Sequence, residues 1–185
     1  MEVKLNKEAV SVAYAASQDT SRLVLQSVCI GEGEIIATDG FILAKRKVET
    51  EGKTMLLNAK NLLDFYRIFA EDGELAISTS EDGKKTIIEK PDASIFLTVQ
   101  PGNYPSIPRL YKNLEEPKAY VALGVGLLKK LIQLSNDSTF IKFRVRSSKN
   151  AVEFIVGDTY GLIMPMDVEE ESELWHKCQI VNKEV

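Results

Sequence analysis

The chain has 185 residues, 44% hydrophobic and 27% charged, a globular balance that excludes general disorder and allows a core without disulfide or metal staples. The two cysteines, Cys29 and Cys178, are too far apart for a metal-ligand spacing or a disulfide framework, and no run approaches the roughly 18–20 apolar residues of a membrane span. The net charge of −4 lies wholly in residues 167–185, where Asp167, Glu169, Glu170, Glu171, Glu173 and Glu184 outnumber Lys177 and Lys183. Residues 1–166 are neutral, which does not fit a simple basic DNA-binding module.

Taken in chain order, the elements repeat. Val3, Lys4 and Leu5 predict a short strand, and Asn6 then caps a helix running to about Gln18, because its side-chain oxygen can accept from a free helix N–H. Residues 23–25, 35–37 and 41–43 predict three strands, separated by turn chemistry at Gly31–Gly33 and Asp39–Gly40. Cys29, within an apolar run, reads as a small core residue.

The same order returns at residues 54–57, with Asn58 as the cap, a helix over 59–70, and strands at 75–78, 86–89 and 95–99. It returns again at 120–123, with a helix near 125–134 and strands at 140–145, 152–156 and 161–166. Pro101, Pro105, Pro108 and Pro117 mark the stretch between the second and third copies. A unit of this kind buries its apolar face by stacking on a neighbour. Two copies make a natural pair, and the third has no partner of its own.

On the second helix Leu62, Leu63, Tyr66 and Phe69 form an apolar face, while Lys60, Asp64, Arg67 and Glu71 line the other side. On the third, Leu127, Leu128, Leu131 and Leu134 read as inward, with Lys129 and Lys130 outward. These basic stripes are either solvated faces or a phosphate-facing surface. In the strand at 140–146, Lys142, Arg144 and Arg146 share one side; a solvated sheet face is preferred there to a basic contact patch.

Catalytic signatures are missing. The one histidine, His176, lies in the acidic tail. There is no glycine-rich phosphate loop and no histidine–carboxylate cluster suggesting a zinc or two-metal site. A protein that is not an enzyme and uses no cofactor is expected. The opening residues carry no apolar signal segment, so a cytoplasmic, non-membrane protein is expected.

Three segments carry a resemblance. Arg22–Leu25 followed by Ala37, Thr38, Asp39, Gly40, Phe41, Ile42, Leu43 and Ala44 resembles the middle domain of the bacterial sliding clamp, the beta subunit of DNA polymerase III. Asn103, Tyr104, Pro105, Ser106, Ile107, Pro108, Arg109 and Leu110 resemble the end of that domain. Tyr160, Gly161, Leu162, Ile163, Met164, Pro165 and Met166 resemble the last strand of the clamp's C-terminal domain.

The resemblance implies an α+β clamp fold of repeated strand–helix–three-strand units. One complete clamp domain is expected over 1–112, a linker over 113–117, a third repeat over 118–168 and an acidic tail over 169–185. It also implies a cleft that takes short hydrophobic peptides of DNA polymerase or clamp-loader-type partners. One wall would be Leu25, Thr38, Gly40, Phe41, Ile42 and Leu43, with Pro105, Arg109 and Leu110 beside it. Leu162, Met164, Pro165 and Met166 would form the other wall. A Met- and Leu-rich groove is adaptable and accepts varied apolar anchors.

Phe41 and Ile42 stand where the family usually carries polar or basic residues. Lys60, Arg67, Lys129 and Lys130 would face double-stranded DNA without reading its sequence. Two functions follow from the resemblance: a processivity clamp or docking platform, or a decoy or regulator that binds partner peptides without encircling DNA. A homo-oligomer is expected in either reading.

Overall fold

A computed structural model describes residues 2–50, 54–70, 73–80, 85–90, 93–106, 120–134 and 140–167. The chain divides into two compact units, Met1–Pro105 and Ser106–Val185. The expected linker at 113–117 and tail at 169–185 lie outside the described residues, as do Cys178, His176, Arg109 and Leu110.

In the first unit, β1 (Glu2–Asn6) leads into α1 (Lys7–Val10) and a 3₁₀ turn, η1 (Ser11–Ala15). Asn6 caps the turn as expected, its Oδ1 accepting from the Ala9 N–H at 2.9 Å. The helix stops at Ala15 and does not reach Gln18. The reason is local: the Ser17 N–H donates to the Leu25 carbonyl at 2.8 Å and draws the chain off the helix.

Residues 23–25 are turns and not a strand. Asp19 Oδ1 accepts from the Ser21 N–H at 2.9 Å and from its hydroxyl at 2.7 Å. The following N–H groups close on carbonyls three or four residues back, so this turn chemistry outweighs the β-propensity of Leu23–Leu25. The strands begin later, as β2 (Ser27–Gly31), β3 (Glu34–Thr38) and β4 (Leu43–Lys47).

The second repeat is β5 (Met55–Asn58), α2 (Ala59–Phe69), β6 (Glu74–Thr79), β7 (Lys85–Lys90) and β8 (Ala93–Thr98). Asn58 caps α2, its Oδ1 accepting from the Asn61 N–H at 3.1 Å. The two repeats exchange their first strands. The sheets run β4-β3-β2-β5 and β1-β6-β7-β8, with Leu5 opposite Leu75 and Leu57 opposite Val28, all antiparallel. One core results, drawn from both repeats. It joins Val3, Leu5, Val10, Val28, Ile30 and Ile35 to Leu57, Leu62, Leu75, Ile77 and Ile88. The small residues Ala9, Ala13 and Ala15 let α1 and η1 lie close to α2 and to β3.

The second unit holds one repeat among its described residues: residues 120–123, α3 (Val125–Leu134), β9 (Lys142–Arg144), β10 (Val152–Val156) and β11 (Thr159–Ile163). Its sheet order is β11-β10-β9. Ala122 bridges Met166, as Val3 bridges Thr50 in the first unit. Leu131, Val152, Phe154, Val156 and Ile163 form its core, with Leu128 packed against them. Leu127 and Leu134, read from the sequence as inward, are 38% and 49% exposed. Among the described residues no helix is long and apolar enough to cross a membrane.

Candidate peptide-binding surfaces

The link between β3 and β4 is built by two side chains. Asp39 Oδ1 accepts from the N–H groups of Phe41 and Ile42 at 2.7 and 2.8 Å. Thr38 is buried; its hydroxyl donates to the Ile42 carbonyl at 2.7 Å and accepts from the Gly40 N–H at 3.0 Å. Gly40 has φ +96°, a conformation an L side chain rarely adopts. This is why Phe41 and Ile42 belong to the link and β4 starts at Leu43.

The outcome is an ordered display of apolar side chains. Phe41 is 93% exposed and Ile42 is exposed beside it, while Leu25 and Leu43 are half-buried. The Ile42 and Phe41 N–H groups, and more weakly Arg22, hold the Asp39 carboxyl below its ordinary value of 3.8.

Tyr104, within the motif at 103–110, belongs to the same unit. Its hydroxyl is buried and has no hydrogen bond of ordinary geometry. Burial pushes its pKa up to about 12, an effect the Thr38 backbone partly offsets. Leu23 is also exposed, and the turn that presents it is signalled in the sequence by Asp19 and Ser21. Pro105 is exposed at the end of the unit.

In the second unit, Leu162, Met164 and Met166 are exposed and Pro165 is half-buried. The Met166 N–H donates to the Ala122 carbonyl at 2.8 Å. The Met166 sulfur lies 3.4 Å from where a Cβ on Gly124 would stand. Tyr160 and Ile155 add exposed apolar surface one strand position away, since Tyr160 pairs with Ile155 and Leu162 with Glu153. Thus Thr38, Gly40, Phe41, Ile42 and Leu43 lie together on the β3–β4 link of the first unit, which also holds Leu25, and Leu162, Met164, Pro165 and Met166 lie along and just after β11 in the second.

Of the basic residues, Lys60 and Arg67 lie exposed on α2, with Arg67 3.7 Å from Asp64. Lys129 and Lys130 are exposed on α3. Arg144 and Arg146 both bind Glu153 across the sheet, at 3.1 and 2.9 Å. The one Glu153 carboxylate offsets one of the two arginine charges, so this cluster keeps a net positive charge. The Cys29 thiol is pushed up to about 11 by burial and by Glu32.

No protein-family model matches the sequence, and no curated protein matches it. Solved structures do. The beta subunit of the DNA polymerase of Streptococcus pyogenes superposes with a TM-score of 0.71 at 19% identity, covering 90% of this chain and 50% of that one. The sliding clamp of Bacillus subtilis gives 0.68 at 16% identity, covering 92% and 50%. The Helicobacter pylori beta clamp bound to a DNA ligase peptide gives 0.63 at 19% identity, covering 91% and 52%. The chain spans about half the length of the clamps it matches. Its fold is that of the bacterial sliding clamps, the DNA polymerase III beta subunits.

Proposed function

We propose that this chain is a non-catalytic, clamp-type docking platform that binds short hydrophobic peptides of polymerase-type partners. The observation that carries the reading is the β3–β4 link, where side-chain hydrogen bonds hold Phe41 and Ile42 out in solvent on a clamp scaffold. A backbone fixed in this way loses little freedom on binding, and preorganisation of this kind favours affinity. In the second unit, the exposed Leu162, Met164 and Met166 offer apolar surface of the same chemistry. Each apolar peptide side chain fully buried would contribute roughly 1.5–3 kcal/mol. Ordering the peptide offsets much of that, so affinity of roughly micromolar order is expected.

The test is titration of a short peptide with Leu and Phe anchors against the wild type, Phe41→Ala and Met164→Lys. Both residues are exposed, so neither change disturbs the core. Each variant should lose at least tenfold in affinity. No binding to the wild type, or equal binding to all three, would show these residues to be ordinary surface.

Whether the platform also travels on DNA is a separate part of the reading. Lys60, Arg67, Lys129 and Lys130 would meet phosphates without sequence preference, and binding would fall with salt. Replacing Lys129 and Lys130 with Glu should weaken retention on circular DNA. Peptide binding without any retention of the wild type would favour a regulator that binds partners off DNA.

A further inference from the structure

Alternation sorts the residues of β9, β10 and β11 onto two faces. Val152, Phe154 and Ile163 fall on the core side. The other face carries two rows. Arg144, Glu153 and Leu162 lie abreast in one, and Lys142, Ile155 and Tyr160 in the next. Arg146 joins this face through its 2.9 Å ion pair with Glu153. Phe140 joins it through Lys142, whose Nζ stands 5.2 Å from the ring centroid. Tyr160 is 85% exposed and Leu162 66%, and Phe140 and Ile155 are exposed on the same face. With three bases to one carboxylate, positive charge and apolar surface stand side by side.

A segment that suits this face brings acids and apolar side chains together. The chain carries such a segment directly after β11. Residues 167–173 hold five acids and no base, and Leu174 and Trp175 follow. Its reach is sufficient. Extended chain advances about 3.3 Å per residue, so the six steps from Asp167 to Glu173 span about 20 Å. β9 lies two strand spacings from β11, which is about 10 Å. The register sets Arg144 level with Leu162, near the end of β11 from which the chain leaves. A tethered segment meets the face at an effective concentration of roughly millimolar order, so contacts too weak to hold a free peptide suffice.

We propose that residues 168–175 dock across the outer face of β9, β10 and β11. The acids at 169–173 lie over Arg144 and Arg146, and Leu174 and Trp175 cover Ile155, Tyr160 and Leu162. The segment is then a built-in competitor. Leu162 is among the residues proposed to hold partner peptides, so a partner must displace the segment to reach it. That consequence rests on the docking-platform reading; the contact itself does not.

Trp175 is the single tryptophan of the chain, so its emission reports the contact directly in the full-length protein. Acrylamide should quench it weakly in the wild type. Arg144→Glu combined with Arg146→Glu should raise the quenching constant at least twofold. Adding Glu169→Lys, Glu170→Lys and Glu171→Lys to that variant should restore the protection, because the charges are then swapped and not lost. A second variant, with Glu169, Glu170, Glu171 and Glu173 each changed to Gln, leaves every residue of the sheet as it is. It should also raise quenching at least twofold, and it should bind a short peptide with Leu and Phe anchors at least threefold more tightly than the wild type.

Trp175 quenched as fully in the wild type as in the variants would overturn the proposal, as would a charge swap that restores nothing. Protection that grows with protein concentration would overturn it in favour of a segment docked on a second copy. Equal peptide affinity in the wild type and the Gln variant, with Trp175 protected in the wild type, would overturn the competition. No peptide binding by either, with Trp175 protected, would overturn the docking platform and leave the contact established.

Discussion

The Thr38 hydroxyl is bonded to the Ile42 carbonyl at 2.7 Å, and the same oxygen receives the Gly40 N–H. One buried side chain thus closes the link between β3 and β4 from both ends. Replacing Thr38 with Val keeps the shape but leaves a carbonyl and an N–H without this partner, at a cost of about 1–3 kcal/mol. Denaturant unfolding should show that loss. Because Phe41 is then no longer fixed, peptide affinity should fall further than stability alone explains.

Asp39 supports the same link through two N–H bonds, and its folded-state pKa lies below 3.8. A depressed carboxylate contributes stability that is present above the unfolded pKa and lost as pH falls through the folded value. Backbone amides of Phe41 and Ile42 should therefore keep their chemical shifts from neutral pH down to about 4 and move only below it. In Asp39→Asn that acid transition should disappear. An unchanged transition in the variant would place its origin in another group.

Phe154 lies across Gly161, and a Cβ at that glycine would stand 2.7 Å from the ring. The ring belongs to the buried cluster of Leu131, Val152, Val156 and Ile163 and cannot swing away freely. Gly161→Ala should destabilise the second unit by about 1–3 kcal/mol, the usual cost of overpacking. Adding Phe154→Leu should recover part of it, and thermal unfolding of the single and double variants measures the coupling.

Tyr104 leads to the opposite expectation. Its hydroxyl is buried with only the Thr38 backbone acting on it and no hydrogen bond of ordinary geometry, so little offsets the cost of burying it. Tyr104→Phe should leave stability unchanged or raise it by up to about 1 kcal/mol, read from the midpoint of urea unfolding. A clear loss would reveal a partner for the hydroxyl in solution.

The caps at Asn6 and Asn58, the helices they start and the threefold unit were legible in the sequence, because they rest on local chemistry and on alternation. The strand expected at 23–25 was not there, since apolar content at Leu23–Leu25 says nothing of the hydrogen bonds Asp19 and Ser21 make to the turn. Phe41 and Ile42 were expected to open a strand. Their N–H groups are instead taken by Asp39.

For the candidate site, the motif marked a set of residues within each unit, but not which of them reach solvent. Exposure of Phe41 and burial of Thr38 follow from one hairpin's hydrogen bonds, which no pattern of residue types encodes. The pairing of Arg144 and Arg146 with Glu153 was equally hidden, because alternation gives the face of a strand and not its neighbour.

The exchange of β1 and β5 has a consequence for how the first unit is assembled. Val3 finds its place only when Ile77 exists, and β2 is complete only when Met55–Asn58 has arrived. Neither half can finish a sheet alone, so folding must cross long sequence separations before those contacts reward it. A cut between Thr50 and Thr54 would sever one covalent connection and leave both antiparallel ladders in place. The two fragments, 1–50 and 54–105, should then hold each other as separate chains: the unit is a heterodimer in which the partners happen to be joined.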